Sequence, residues 1–178
     1  INFLNKIGAR FEFSENELRV WRHEEGLIPQ NLEISPTPGF VPDWQSLAVL
    51  LLTQANGEST VHDTVYVDRF GYCMDLNRMG AKIDLLTPSE AGISPEISDD
   101  SYDIKKEGEP KTVAKITGPT KLKGERLTIE NFNYGAVLVL AALCADGKSE
   151  IIGIDNIGFY FEDFVDKLIS LGAKIWEQ

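Results

Sequence analysis

Residues 79–83 read MGAKI, residues 7–11 read IGARF and residues 171–175 read LGAKI. Each is an apolar residue, Gly-Ala, a base and a second apolar residue. Helix-like text precedes each copy and strand-like text follows it. Three copies in one chain point to a structural unit used repeatedly.

Working outward from the second copy gives the most complete unit. NLEIS (31–35) reads as a short strand, after which Pro36, Pro38, Gly39 and Pro42 interrupt the chain. The text over 43–57, DWQSLAVLLLTQANG, predicts a helix with Asp43 as its N-cap and Gly57 as its stop. STVHDTVYV (59–67) is rich in β-branched residues and predicts a strand. A second helix is expected over 69–80, then strands at 82–86 and 113–117.

The third copy repeats that order. A strand is expected at 126–130, a helix at 133–147, a strand at 149–155 and a helix at 160–171. In the last helix Phe161, Phe164, Val165, Leu168 and Ile169 form one apolar stripe. The first copy keeps only a helix at 1–7 and a hairpin turning at Ser14-Glu15-Asn16. The predicted fold is therefore α/β, built from β-α-β-α-β-β units. Residues 1–30 form a partial unit, 31–117 a second and 126–178 a third, all in a single domain. Residues 87–112 are polar, acidic and without apolar periodicity, and are expected to form a mobile hairpin extension of unit two.

The first helix of each unit, with LAVLLL at 47–52 and GAVLVLAALCA at 135–145, is apolar nearly all round. A helix of that kind has to be covered on every side. Central helices with sheets outside them would satisfy this, and helices 44–56 and 134–145 are expected to be the most buried elements.

Bulk composition narrows the function classes. The chain has 178 residues, 43% of them hydrophobic, enough for a real core. No apolar run is long enough to cross a bilayer. A formal net charge of −11 opposes nonspecific contact with nucleic acid or an anionic membrane, so neither is expected as a partner. Cys73 and Cys144 form no CxxC or Cys-His pattern, so no metal site or disulfide framework is expected, and a reducing cytoplasm is the default setting. Numbering begins at Ile1 without a methionine or a signal peptide, which suggests a piece of a longer protein.

The stretch TPGFVPDWQSLAVLLLTQANGESTVHDTVYVDRFGYCMDLNRMGAKI resembles the C-terminal part of the enolpyruvyl transferases, their UDP-N-acetylglucosamine branch more than the shikimate branch. KLKGERLTIENFNYGAVLVLAAL and EDFVDKLISLGAKI extend the resemblance to nearly the whole chain outside 87–112. It implies an inside-out α/β barrel with helices central and sheets outside, one of two such domains. The partner domain, which carries the family's catalytic cysteine loop, is expected to be absent from this chain. The implied reaction moves enolpyruvyl from phosphoenolpyruvate to the 3′-hydroxyl of UDP-N-acetylglucosamine, with loss of phosphate and no cofactor, in peptidoglycan precursor synthesis.

Both substrates are anionic, so such a site needs a base, an acid and cationic clamps. By the resemblance, Asp43 matches the family aspartate that contacts the reacting hydroxyl. A helix cap is the alternative reading of the same residue, and one carboxylate can do both. Arg69 matches an arginine facing the cleft, and Val65 and Tyr66 match positions beside the sugar nucleotide. The alternative for those two is ordinary strand packing.

The chain also departs from the family pattern. Asn131 and Asn133 stand where the family has an acid and an arginine, and Phe159 stands at a second arginine position. Each charge-assisted contact with a buried anion is worth about 1.5–3 kcal/mol, so phosphoenolpyruvate is expected to be handled less well than the sugar nucleotide. Three readings follow: a transferase domain inactive by itself, a degenerate sugar-nucleotide-binding domain, or a partner-binding domain using 87–112. Asp43 and Arg69 argue against the third.

Overall fold

The computed structural model describes residues 1–157 and 161–176. Its contacts divide the chain into two compact units, one made of residues 1–71 and 81–120, the other of 72–80 and 121–178. Phe159 lies outside the described residues.

The first unit begins with helix α1 (Asn2–Lys6) and a hairpin of β1 (Ala9–Phe13) and β2 (Leu18–Arg22). Its main sheet has four strands: β3 (Asn31–Ile34), β4 (Gly57–Asp63), β5 (Ile83–Leu86) and β6 (Val113–Gly118). Their order is β3-β4-β6-β5, with β3 and β4 parallel and the other pairings antiparallel. Parallel neighbours need a crossover, and helix α2 (Gln45–Leu52) provides it. Gln45, Ser46, Ala48, Val49, Leu50 and Leu52 are all buried, as an all-round apolar helix requires.

The second unit repeats the β-α-β arrangement. Helix α3 (Cys73–Arg78) belongs to this unit, whereas the 87–112 connection belongs to the first and contributes the one-turn helix α4 (Ile104–Glu107). Strands β7 (Arg126–Thr128) and β8 (Glu150–Ile152) pair in parallel through helix α5 (Gly135–Cys144), and α6 (Phe164–Ser170) follows. Helix α3 packs on α5, with the Tyr72 and Tyr134 rings 5.5 Å apart. Arg78 ties α3 to β7: it pairs with Asp75 and Glu125 and donates to the Arg126 carbonyl at 2.8 Å.

The recurring Gly-Ala motif has one physical explanation. Gly8, Gly80 and Gly172 follow the last turn of α1, α3 and α6 with φ of +93°, +106° and +97°. Their N–H groups donate to the carbonyls of Asn5, Asn77 and Ile169 at 3.1, 3.0 and 2.9 Å. After α6, Ala173 also donates to Leu168, completing a two-bond helix stop. Glycine alone takes this backbone conformation without a Cβ penalty.

Several sequence expectations need correction. The helix expected over 43–57 is shorter: Pro42–Trp44 form a 3-10 turn, and α2 ends at Leu52 with Thr53 as its C-cap. Gly57, read as a stop, opens β4 instead. The strand expected over 59–67 ends at Asp63. Helix α5 is buried from Gly135 to Val139, but its last turn reaches solvent, with Leu143 39% exposed and Cys144 exposed. The stripe on α6 is not covered within its unit: Phe161 and Ile169 are exposed, and Phe164, Val165 and Leu168 are half-buried.

Candidate functional site

Pro42 sets the backbone for the turn that carries Asp43, since its ring fixes φ and its missing N–H falls where no partner is needed. Phe40 holds the lead-in by edge contacts with Phe3 on α1 at 5.3 Å and with Trp44 at 6.0 Å. Asp43 is exposed and sits inside the turn rather than before it. Neither the turn nor α2 has a side-chain cap, so the capping role expected of Asp43 is not the one it fills. Its carboxylate is left facing solvent.

Two residues further on, Gln45 is buried and its amide donates to the Asp63 carboxylate at 2.7 Å. The other Asp63 oxygen accepts from the N–H groups of Val65 at 2.8 Å and Tyr66 at 3.0 Å. This is an aspartate turn, and it explains why β4 stops where it does. Asp63 is fully buried. Burial pushes its carboxyl above the usual carboxylate range, while the two N–H groups, Arg69 and the Gln45 amide pull the other way.

Beyond that turn, Val65 is half-buried, Tyr66 is 39% exposed and Arg69 is half-buried in the loop ahead of α3. Arg69 therefore does not open a helix, and Val65 and Tyr66 are loop residues, not strand residues. The Arg69 guanidinium lies over the Tyr66 ring, 4.1 Å from its centre. A cation held on an aromatic face in a half-open loop is suited to receiving an anion. The structure thus ties Asp43, Val65, Tyr66 and Arg69 into one connected set through two residues that sequence reasoning missed, Gln45 and Asp63.

Beside them, His62 is buried and its Nε2 has no hydrogen-bond partner. Burial lowers its pKa, against the carboxylates of Glu33, Asp63 and Glu96. The ring is thus held toward the neutral form.

Asn131 and Asn133 belong to the second unit. The Asn131 side chain caps the 3-10 turn Phe132–Tyr134 by accepting from the Asn133 N–H at 2.9 Å. Asn133 sits in the middle of that turn, as Asp43 does in its own. Both asparagines are half-buried and uncharged. Cys73 is buried and its thiol is pushed up to about 12 by burial, which removes it as a nucleophile.

Comparison with known proteins agrees with this mixed α/β architecture. The structure resembles the enolpyruvyl transferase NikO from Streptomyces tendae with a TM-score of 0.76, at 23% identity, over 97% of this chain and 34% of that one. EPSP synthase from Acinetobacter baumannii matches with a TM-score of 0.52 at 17% identity, over 84% of this chain and 30% of that one. These define a fold class shared with enolpyruvyl transferases.

The family profile described as EPSP synthase (3-phosphoshikimate 1-carboxyvinyltransferase) matches residues 1–168, and the chain belongs to that family. It is 35% identical to a UDP-N-acetylglucosamine 1-carboxyvinyltransferase of Protochlamydia amoebophila (strain UWE25), over 98% of this chain and 37% of the relative. It is 34% identical to UDP-N-acetylglucosamine 1-carboxyvinyltransferase 2 of Bacillus subtilis (strain 168), over 98% of this chain and 35% of the relative. The chain thus spans about a third of the length of these relatives. Among the described residues no helix is long and apolar enough to cross a membrane.

Proposed function

We propose that this chain is one domain of a cytoplasmic UDP-N-acetylglucosamine 1-carboxyvinyltransferase that serves peptidoglycan precursor synthesis. The observation that carries this reading is the 35% identity to such an enzyme across 98% of the chain. In this reading the domain is an inside-out α/β barrel, and the remaining part of the protein supplies a second domain that closes over the substrates. Residues 1–30, 31–117 and 126–178 are its repeat units.

Asp43 is the base that takes the proton of the 3′-hydroxyl, and its exposed place on the 3-10 turn leaves it accessible. Arg69 contributes positive charge to the anionic substrates, and Tyr66 and the Val65 backbone border the sugar nucleotide. Asn131 and Asn133 offer amide hydrogen bonds in place of ionic ones. The chain alone does not turn over, because the closed site needs both domains.

A degenerate, non-catalytic sugar-nucleotide domain is the second reading. It is favoured by Asn131, whose side-chain oxygen is engaged in capping its own turn where the family has a free acid.

Calorimetric titration of the complete protein with UDP-N-acetylglucosamine and with phosphoenolpyruvate tests the first reading, together with a phosphate-release assay on the same protein. Binding of the sugar nucleotide with phosphate release by the complete protein is expected. Binding without phosphate release would favour the degenerate reading. No binding of the sugar nucleotide would overturn both.

A further inference from the structure

We propose that Asp63 is a positioning residue, whose buried carboxylate locks the turn carrying Asp43 and the loop carrying Arg69 into one fixed arrangement. The role in ligand binding rests on the function proposed above; the locking itself does not. One carboxylate oxygen holds Gln45, two residues after Asp43, and the other holds the backbone N–H groups of Val65 and Tyr66. Tyr66 in turn carries the Arg69 guanidinium on its ring face. A single side chain thus fixes both the element bearing the carboxylate and the loop bearing the cation.

The second β-α-β shows that the fold does not demand this device. Counting from the equivalent 3-10 turns, Gln45, Gly57 and Asp63 correspond at a constant offset to Gly135, Gly147 and Gly153. The buried pair of the first unit is therefore a pair of glycines in the second. There a Cβ on Gly135 would meet the apolar side chains of Ile157 at 2.7 Å and Ile129 at 2.9 Å, and one on Gly153 would meet the Ile129 carbonyl at 2.9 Å and the Asn156 amide at 3.3 Å. The parallel strand pair and its crossover helix form in both. A buried ionisable group that one copy of the fold lacks is a specialisation of the other copy.

Amide hydrogen exchange on the chain, followed residue by residue, tests the locking without any ligand. In Asp63→Ala, Val65 and Tyr66 are expected to exchange at least tenfold faster, while Val61 in β4 keeps its protection. Asp63→Asn retains an acceptor oxygen and should restore protection at Val65 and Tyr66. Unchanged exchange at both residues in Asp63→Ala would overturn the proposal. So would a uniform loss across β4 in both variants, which marks a general structural role.

Titration with UDP-N-acetylglucosamine then reads the link to Arg69. Asp63→Ala should weaken binding about tenfold in the wild-type background and distinctly less in an Arg69→Ala background, because part of its effect passes through Arg69. Equal weakening in both backgrounds would overturn the link. Absence of wild-type binding would instead sink the proposed function, with the exchange measurement still deciding whether Asp63 locks the loop.

Discussion

The Arg69 guanidinium rests 4.1 Å from the centre of the Tyr66 ring, three residues back in the same loop. The ring limits where the cation can go without neutralising it. Tyr66→Ala should release the guanidinium and weaken sugar-nucleotide binding, as calorimetry would show. The same change should lower stability by no more than about 1 kcal/mol in urea unfolding, since a partly exposed cation–π contact contributes little. A larger stability loss with unaltered binding would assign the pair to folding instead of ligand capture.

Asp63 should leave a mark on the pH dependence of stability. Its folded pKa is raised by burial, so the folded state holds the proton more tightly than the unfolded chain does. The ionised form therefore costs stability at neutral pH, and that cost is relieved as pH falls through the raised folded value toward the ordinary carboxylate range. The groups facing this carboxylate are the Gln45 amide, the Val65 and Tyr66 N–H groups and Arg69, with the buried His62 ring next to it in β4 and held toward its neutral form. Asp63→Asn should be at least as stable as wild type at pH 7, and its advantage should shrink on acidification. Urea unfolding at several pH values checks this. A variant less stable than wild type at pH 7 would show that the carboxylate's partners outweigh its burial.

Helix α2 should be intolerant of truncation. Leu50 is 8% exposed in a helix buried on most sides. Leu50→Ala should cost about 2–5 kcal/mol by chemical denaturation. A near-neutral result would mean that the surroundings collapse into the space.

The two cysteines should differ in reactivity. Cys144 is exposed, whereas Cys73 is buried and its thiol is pushed up to about 12. Brief alkylation of the native chain near neutral pH, read by mass spectrometry, should modify Cys144 alone, with Cys73 reacting only after unfolding. Rapid native labelling of Cys73 would contradict its burial.

Much of the architecture was legible because it rests on local chemistry. Gly8, Gly80 and Gly172 announce helix ends, and the all-apolar runs at 47–52 and 135–145 announce covered crossover helices. Where the reading overran, a side chain had intervened. Val65, Tyr66 and Val67 are good strand formers, yet Asp63 captures the next two N–H groups and ends the strand before them. Asp43 looks like a helix cap, but Pro42 starts a 3-10 turn one residue earlier. The Gln45–Asp63 pair was invisible for a different reason. Both residue types usually face water, and only the parallel pairing of β3 with β4 around α2 buries them together.

The path of the chain between the two compact units has a practical consequence. It leaves the first at Gly71, contributes α3 to the second, returns at Ala81 and departs again after Thr120. No single cut separates them. A fragment ending at Thr120 would keep every strand of the first unit yet carry α3 stripped of α5, with the Tyr72 ring uncovered. A fragment starting at Lys121 would present the side of α5 that α3 occupies. Dissection into halves would therefore yield two sticky pieces, and any expression boundary drawn for this polypeptide should keep residues 72–80 and 121–176 on the same molecule.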